Sequence, residues 1–442
     1  MKKLFLILSI VLFATTGIWA NGQDEKAGDG PVTIKYILWD ANQLPAYEKC
    51  AQDFMAKNPN IKVEINQLGW GDYWTGLQTD MVAGIAPDVF TDHLAMYPDF
   101  ASKGQLVDLS EYVKRDNVDT SKYMNNLDKL WETEDGKAYG LPKDWDTIAI
   151  VYNQEKLDAA GITKEDINNL TWNPTDGGTF EKAIAALSVD ENGRNGLDPN
   201  FDSENVACYG MSFNHFDDRG QGQFSPFAVS TGWMYTDGLY SNNYHFDDPR
   251  FIATIEWMVK MTEKGYFAPY ELTGNGANSL FTSGQAATLL DGSWMISYYS
   301  TSSTFPVGFA SLPAGPQGKK SMTNGLADSI WTGSEHKEEA WQWVKYLASE
   351  EAQKIVGTFG VVFPAYESGV NNALAAYEKK GIDVSAFTEI ATTPGETFVY
   401  PIVKNGVKIN EIMTQSFDSI FLGLTEAAPT LKEANQKILN LF

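Results

Sequence analysis

Chemistry on a protein chain needs titratable or nucleophilic side chains at defined spacing, and the candidates here are four histidines, two cysteines and several paired acids. His93, His215, His245 and His336 fall into neither the HExxH pattern nor any other tight metal-ligand spacing. No Gly-x-Ser-x-Gly elbow occurs, so a serine nucleophile is not indicated. The run Asp190 to Asn195 has the rhythm of a calcium loop, but Arg194 occupies a liganding place and the distal glutamate is missing, so it reads as a polar turn. Asp217-Asp218 and Asp247-Asp248 place two carboxyls side by side. A glycosidase needs two facing each other across about 5 to 10 Å, so these pairs read as solvated turns. What remains is a chain with 13 tryptophans and 57 acids and no catalytic constellation, which points to binding without an enzymatic step and without a cofactor or metal.

The elements that must position such residues alternate between strand and helix. The segment Tyr73 to Phe90, YWTGLQTDMVAGIAPDVF, contains a helix, its stop and a following strand. Leu77, Met81 and Val82 fall at helical spacing, Gly84 suits a left-handed cap, and Pro87 blocks continuation before the apolar pair Val89-Phe90. Upstream, Thr33 to Trp39 reads as a strand, Pro45 to Ala56 as a helix, and Ile61 to Ile65 as a strictly alternating strand. This βαβ opening predicts a parallel sheet. Further strands are predicted over Thr147 to Tyr152 and Ala286 to Leu290. Helices are predicted over Asn153 to Ile162, Phe180 to Leu187, Pro249 to Lys264, Glu335 to Leu347, Glu350 to Val356 and Ile409 to Leu424, and from Thr430 with Glu433 completing a capping box. Leu170 to Phe224, rich in Gly, Asn, Asp and Pro, reads as loops around one helix. Trp257, Trp341 and Trp343 lie on amphipathic helices and are expected in the core.

Composition and the leader bound the class. Lys2 and Lys3, the apolar run Leu4 to Ala14 and small residues up to Ala20 form a secretory signal over 1–20. A polar linker over 21–30 follows, and the lack of a cysteine at the cleavage point favours a free periplasmic protein over a lipid-anchored one. The length of 442 residues with 43% hydrophobic content exceeds what one core usually holds, so two lobes are expected. Without Lys2 and Lys3 the chain carries 31 basic and 57 acidic residues, a balance of -26 that argues against nucleic acid as a partner. A small cation such as a polyamine stays open as a ligand on the same charge argument. Cys50 shares a helical face with Tyr47 and Phe54, and Cys208 lies far along the chain, so two free, buried thiols are expected.

Four fragments, in order, carry a family resemblance. Besides Tyr73 to Phe90 they are GKAYGLPKDWDTIAIVYNQEKLDAAGI from Gly136, LFTSGQAATLLDGSW from Leu280, and the long run from Val307 that begins VGFASLPAGPQGKKSMTNGLADSIWTG. Over nearly all of the mature chain the sequence resembles the extracellular solute-binding proteins of ABC importers, in their carbohydrate-binding, maltose-binding-protein-like branch. The turn TWNPTDGGTF from Thr171 is longer than the corresponding turn of the family.

The resemblance implies an α/β, two-lobed periplasmic-binding-protein fold, each lobe a mainly parallel sheet flanked by helices. Three crossovers, near Asp146, near Phe305 and near Asp328 to Trp331, would join a first lobe of 31–146 plus 306–329 to a second of 147–305 plus 330–442. It implies a monomeric receptor that closes on a mono- or oligosaccharide and delivers it to membrane permease subunits. A sugar offers apolar C–H faces and a polar rim, so the site should supply flat rings and carboxylates or amides. By this resemblance Trp294 stacks on the ligand, while Trp39, Asp40 and Trp74 face the cleft. Asp92 and His93 lie at its mouth, Trp145 and Asp146 at the first crossover, and Phe224 and Asp328 complete the expected contacts. The rival readings are a secreted glycosidase or lyase, and the same transport role with a small cation.

Overall fold

The computed structural model describes residues 30–442; the signal predicted over 1–20 and the linker as far as residue 29 lie outside the described residues. Among the described residues no helix is long and apolar enough to cross a membrane. The chain opens with strand β1 (Val32–Leu38), helix α1 (Leu44–Lys57), β2 (Ile61–Gln67), helix α2 (Trp70–Ala83) and β3 (Val89–His93). The short β4 (Leu141–Pro142) and β5 (Asp144–Trp145) precede β6 (Ile148–Asn153), β7 (Val189–Asp190) and β8 (Val206–Ser212). Then come β9 (Ala286–Gly292), β10 (Val307–Ala310), β11 (Ser321–Thr323), β12 (Leu326–Ile330), β13 (Phe363–Pro364) and β14 (Thr397–Val399).

Two five-stranded sheets organise these elements, in the orders β2-β1-β3-β12-β4 and β10-β6-β9-β8-β7. The first follows from the βαβ opening: β1 pairs in parallel with β2 from Val32↔Ile61 to Leu38↔Gln67, and with β3 at Tyr36↔Val89. Helices flank both sheets, as the alternation of strand and helix requires. The stop signals act as their chemistry dictates: Gly84 caps α2 at φ 75° and Gly161 caps the helix Gln154–Ala160 at φ 68°, a left-handed conformation that side chains disfavour. Trp257, Trp341 and Trp343 are buried, and Cys50 and Cys208 are buried and unpaired. Low polarity around Cys50 pushes its thiol up to about 12.

Several expectations are corrected. Val82 is 84% exposed, because α2 buries the face of Tyr73, Trp74, Leu77 and Met81. Within the stretch read as loops, β8 is an inner strand of the second sheet; Gly210 breaks its apolar pattern because the helix Gly178–Leu187 lies so close that a Cβ there would strike the Ile184 carbonyl. The last helix begins at Ala427, and the Thr430 hydroxyl donates back to the Glu426 carbonyl instead of capping. The strand pairings also move the expected lobe boundaries. β10 pairs antiparallel with β6 in the second sheet, so the chain returns to the first sheet only between β10 and β12. The helix Lys337–Leu347 packs on β12 and β1, and Glu350–Phe359 on α1, so the run after 330 stays with the first sheet. The third passage follows the helix Glu367–Lys379, since Ser385–Thr392 packs on β10 and β6 and the C-terminal helix on Pro249–Glu263. The passages that the resemblance implies near 305 and 328–331 differ from these because a family resemblance carries no information on which strand pairs with which.

Candidate functional site

The strands of the first sheet end where Trp39 and Asp40 follow β1 and where His93 closes β3. In the second sheet β9 runs into Asp291, Ser293 and Trp294, and β6, antiparallel to it, places Asp146 beside that end through the pair Ile148↔Gly292. The two strand ends thus converge on one cleft of about 780 Å³, within the range of small-molecule sites. Connections between the sheets form its floor: Asp146 N–H donates to the Asn324 carbonyl at 2.9 Å, and β5 pairs with β13 through Trp145↔Phe363.

The wall from the first sheet is aromatic. Trp39 meets Trp70 edge-on at 5.1 Å and 87°, and rests on Tyr73 and Trp74 at 5.1 and 5.4 Å. His93 lies 5.8 Å from Trp70 and 5.1 Å from Tyr400, and its Nε2 is 2.9 Å from Asn324 Nδ2. Burial, reinforced by Arg219, holds His93 down to about 3, so it is a neutral ring at physiological pH. On the floor Trp145 stacks on Phe363 at 4.9 Å and 18°. On the opposite wall Trp294 folds over Gly292, where a Cβ would fall inside the indole ring. The polar complement is five carboxyls, Asp40, Asp144, Asp146, Asp217 and Asp291, with the amides Gln221 and Gln223 between them. Gln221 Nε2 donates to Asp146 at 2.8 Å. Burial raises Asp144 to about 7 and Asp291 to about 6; burial and then the charge of Asp144 raise Asp146.

Of the residues expected at the site, Trp39, Asp40, His93, Trp145, Asp146 and Trp294 line this cleft. Four lie elsewhere. Trp74 is buried one helical turn behind, supporting Trp39, and Trp70 takes the lining place at 53% exposed. Asp92 points into the first lobe, because successive side chains of β3 alternate between faces. Phe224 is a core residue packed on Phe251 and Phe417 at 5.1 and 5.4 Å. Asp328 is buried with Lys143, whose Nζ lies 3.1 Å from it, 2.8 Å from Tyr36 Oη and 2.9 Å from Thr91 Oγ1. A buried carboxylate next to the cleft is held there as the partner of a buried ammonium. Sequence reasoning missed Trp70, Asp144, Asp217, Asp291 and Tyr400. Trp70 had a signal in its four-residue spacing from Trp74, and Asp291 in its place before Trp294. Asp217, read as part of a solvated turn, lines the cleft, while its neighbour Asp218 is buried on Arg219.

Residues 40–354 match the profile of the bacterial extracellular solute-binding protein family. The chain belongs to that family. This solute-binding protein is 25% identical over 363 residues to a maltodextrin-binding protein of Bacillus subtilis, covering 79% of this chain and 77% of the relative. Its fold is similar to that of a substrate-binding protein of Listeria monocytogenes solved with cycloalternan, at a TM-score of 0.79 and 22% identity over 93% of this chain and 99% of the other. It is likewise similar to the GacH receptor of Streptomyces glaucescens, solved unliganded and with acarbose, at a TM-score of 0.75 and 21% identity over 93% and 99%. The solute-binding protein therefore has the two-lobed architecture of those structures.

Proposed function

We propose that the protein is an extracytoplasmic receptor that takes up an oligosaccharide between its two lobes and presents it, chemically unchanged, to the permease of an ABC importer. The observation that carries this reading is the composition of the cleft: indole rings from both sheets, Trp39 and Trp70 on one side and Trp294 on the other, around a rim of carboxyls and amides. Flat rings cover the C–H faces of a pyranose at little ordering cost, and each carboxyl accepts from hydroxyls that would otherwise forfeit about 1 to 3 kcal/mol on burial. The binding partners of the relatives, maltodextrin, cycloalternan and acarbose, share that chemistry. Closure about the passages between the sheets would bury the ligand and form the surface that a permease reads.

The test is a panel of neutral oligosaccharides read by thermal shift, because a ligand selective for the folded state raises its melting temperature. At least one glucan, mannan or galactan oligomer should raise it and be recovered intact by chromatography. Trp294→Ala should weaken that ligand roughly tenfold in calorimetry while leaving the melting temperature of the ligand-free protein nearly unchanged. Release of shorter sugars would make the protein an enzyme; no shift with any saccharide would remove the reading.

A further inference from the structure

We infer that the cleft selects on ligand charge: it takes a saccharide bearing a protonated amine in preference to the neutral counterpart, and rejects one bearing a carboxylate. The inference rests on the saccharide reading above and narrows its ligand class. Its basis is an imbalance of charge in the lining, where five carboxyls converge and, among the described residues, no lysine or arginine appears. The two buried bases near that lining each pair with a carboxylate outside it. Lys143 turns inward to Asp328, Tyr36 and Thr91, with Nζ 3.9 Å from the centre of the Tyr47 ring, and Arg219 pairs with Asp218 and lies 5.6 Å from the centre of the Tyr400 ring. An anionic sugar entering the cleft would be desolvated among carboxyls that burial already disfavours as anions, with both nearby cations already paired.

A second observation points to a ligand group at the same place. Asp144 is 3% exposed, and its Oδ2 has no hydrogen-bond partner among the described residues. Ser293 Oγ and Trp145 Nε1, in the same lining, are also buried without a partner. Unmade hydrogen bonds of this kind cost about 1 to 3 kcal/mol each, and a ligand that reaches them recovers that energy. The charges of Asp144 and Asp291 both raise the proton affinity of Asp146, so the carboxyls already repel one another. An ammonium group between them relieves that repulsion, and the faces of tryptophan and tyrosine attract it as well. The indole walls distinguish an amino sugar from a linear polyamine, since a polyamine has no ring face to cover Trp39 and Trp294.

The experiment titrates the mature chain, by tryptophan fluorescence and calorimetry, with matched sets: glucose, glucosamine and glucuronate, the corresponding galactose set, their β-1,4-linked disaccharides, and spermidine. Within the sets that bind, the amine should bind at least about tenfold tighter than the neutral sugar, the uronate should not bind, and the advantage should shrink between about 0.05 and 1 M salt. Asp146→Asn should cut the amine's advantage to less than about threefold, weakening the amine by a larger factor than the neutral sugar. Asp217→Asn serves the same purpose should the first variant misfold. Equal affinity of amine and neutral sugar, or an equal loss of both in the variants, overturns the inference and leaves the saccharide reading intact. Binding of spermidine alone overturns both; binding of nothing in the sets overturns the inference, and the saccharide reading falls with it only if the oligosaccharide panel also gives no shift.

Discussion

Asp92 precedes a cleft residue yet is fully buried in the packed interior of the first lobe. Burial raises its carboxyl to about 7, against which the hydrogen bond from the His93 amide acts as the smaller effect. An acid whose folded-state value is raised contributes stability below its unfolded value of about 3.9 and loses it as pH rises through the folded value. Asp144, at about 7, and Asp291, at about 6, have the same sign. His93 has the opposite one: held down to about 3, it favours folding above its unfolded value and loses that contribution as pH falls toward 3. Above about pH 6.5 the histidine contribution is complete and only the acids still titrate. The melting temperature of the ligand-free protein should therefore fall between about pH 6.5 and 8, and Asp92→Asn should make the fall shallower. Calorimetric scans of both proteins across that range check it; parallel curves would place the pH dependence in other groups.

At the scale of the element, the turn after β9 shows how backbone dictates a site. Gly292 leaves room for the Trp294 ring directly over the main chain. Gly292→Ala should push the indole off the cleft wall and weaken the ligand by about the factor expected for Trp294→Ala, with a smaller effect on melting; affinity unchanged by the extra methyl would mean that the ring stands elsewhere. The same turn shows what sequence can and cannot reveal. The helices were legible because apolar spacing, Gly84, Gly161 and the prolines are local signals. Trp39, Asp40, Trp145, Asp146 and Trp294 were legible as lining of the cleft, because strand ends and the first passage are fixed by short motifs. Phe224 and Asp328 were not, since packing on Phe417 or pairing with Lys143 joins residues about two hundred positions apart. Strand β8 escaped because its glycine answers to a helix that touches it, an argument no window of neighbouring residues contains.

For the whole molecule, the proposed function requires that two sheets joined by three passages and walled by rings from each side close on the ligand. The oligosaccharide found by thermal shift should reduce the radius of gyration in small-angle scattering, and Trp294→Ala should move the concentration at which this happens to about tenfold higher. A profile identical with and without saturating ligand would mean that the halves do not move.

The position of β12 has a consequence for how the molecule comes into being. It lies between β3 and β4, pairing antiparallel with both, although about two hundred residues separate it from them in the chain. A nascent polypeptide leaves the ribosome amino end first, so β1, β2 and β3 appear with a bare strand edge and wait for the late insert. The second sheet, built from β6 through β10 without interruption, can assemble first. The sheet that begins the polypeptide is thus the sheet completed last, and a chaperone that shields the unpaired edge of β3 during synthesis would find its target there.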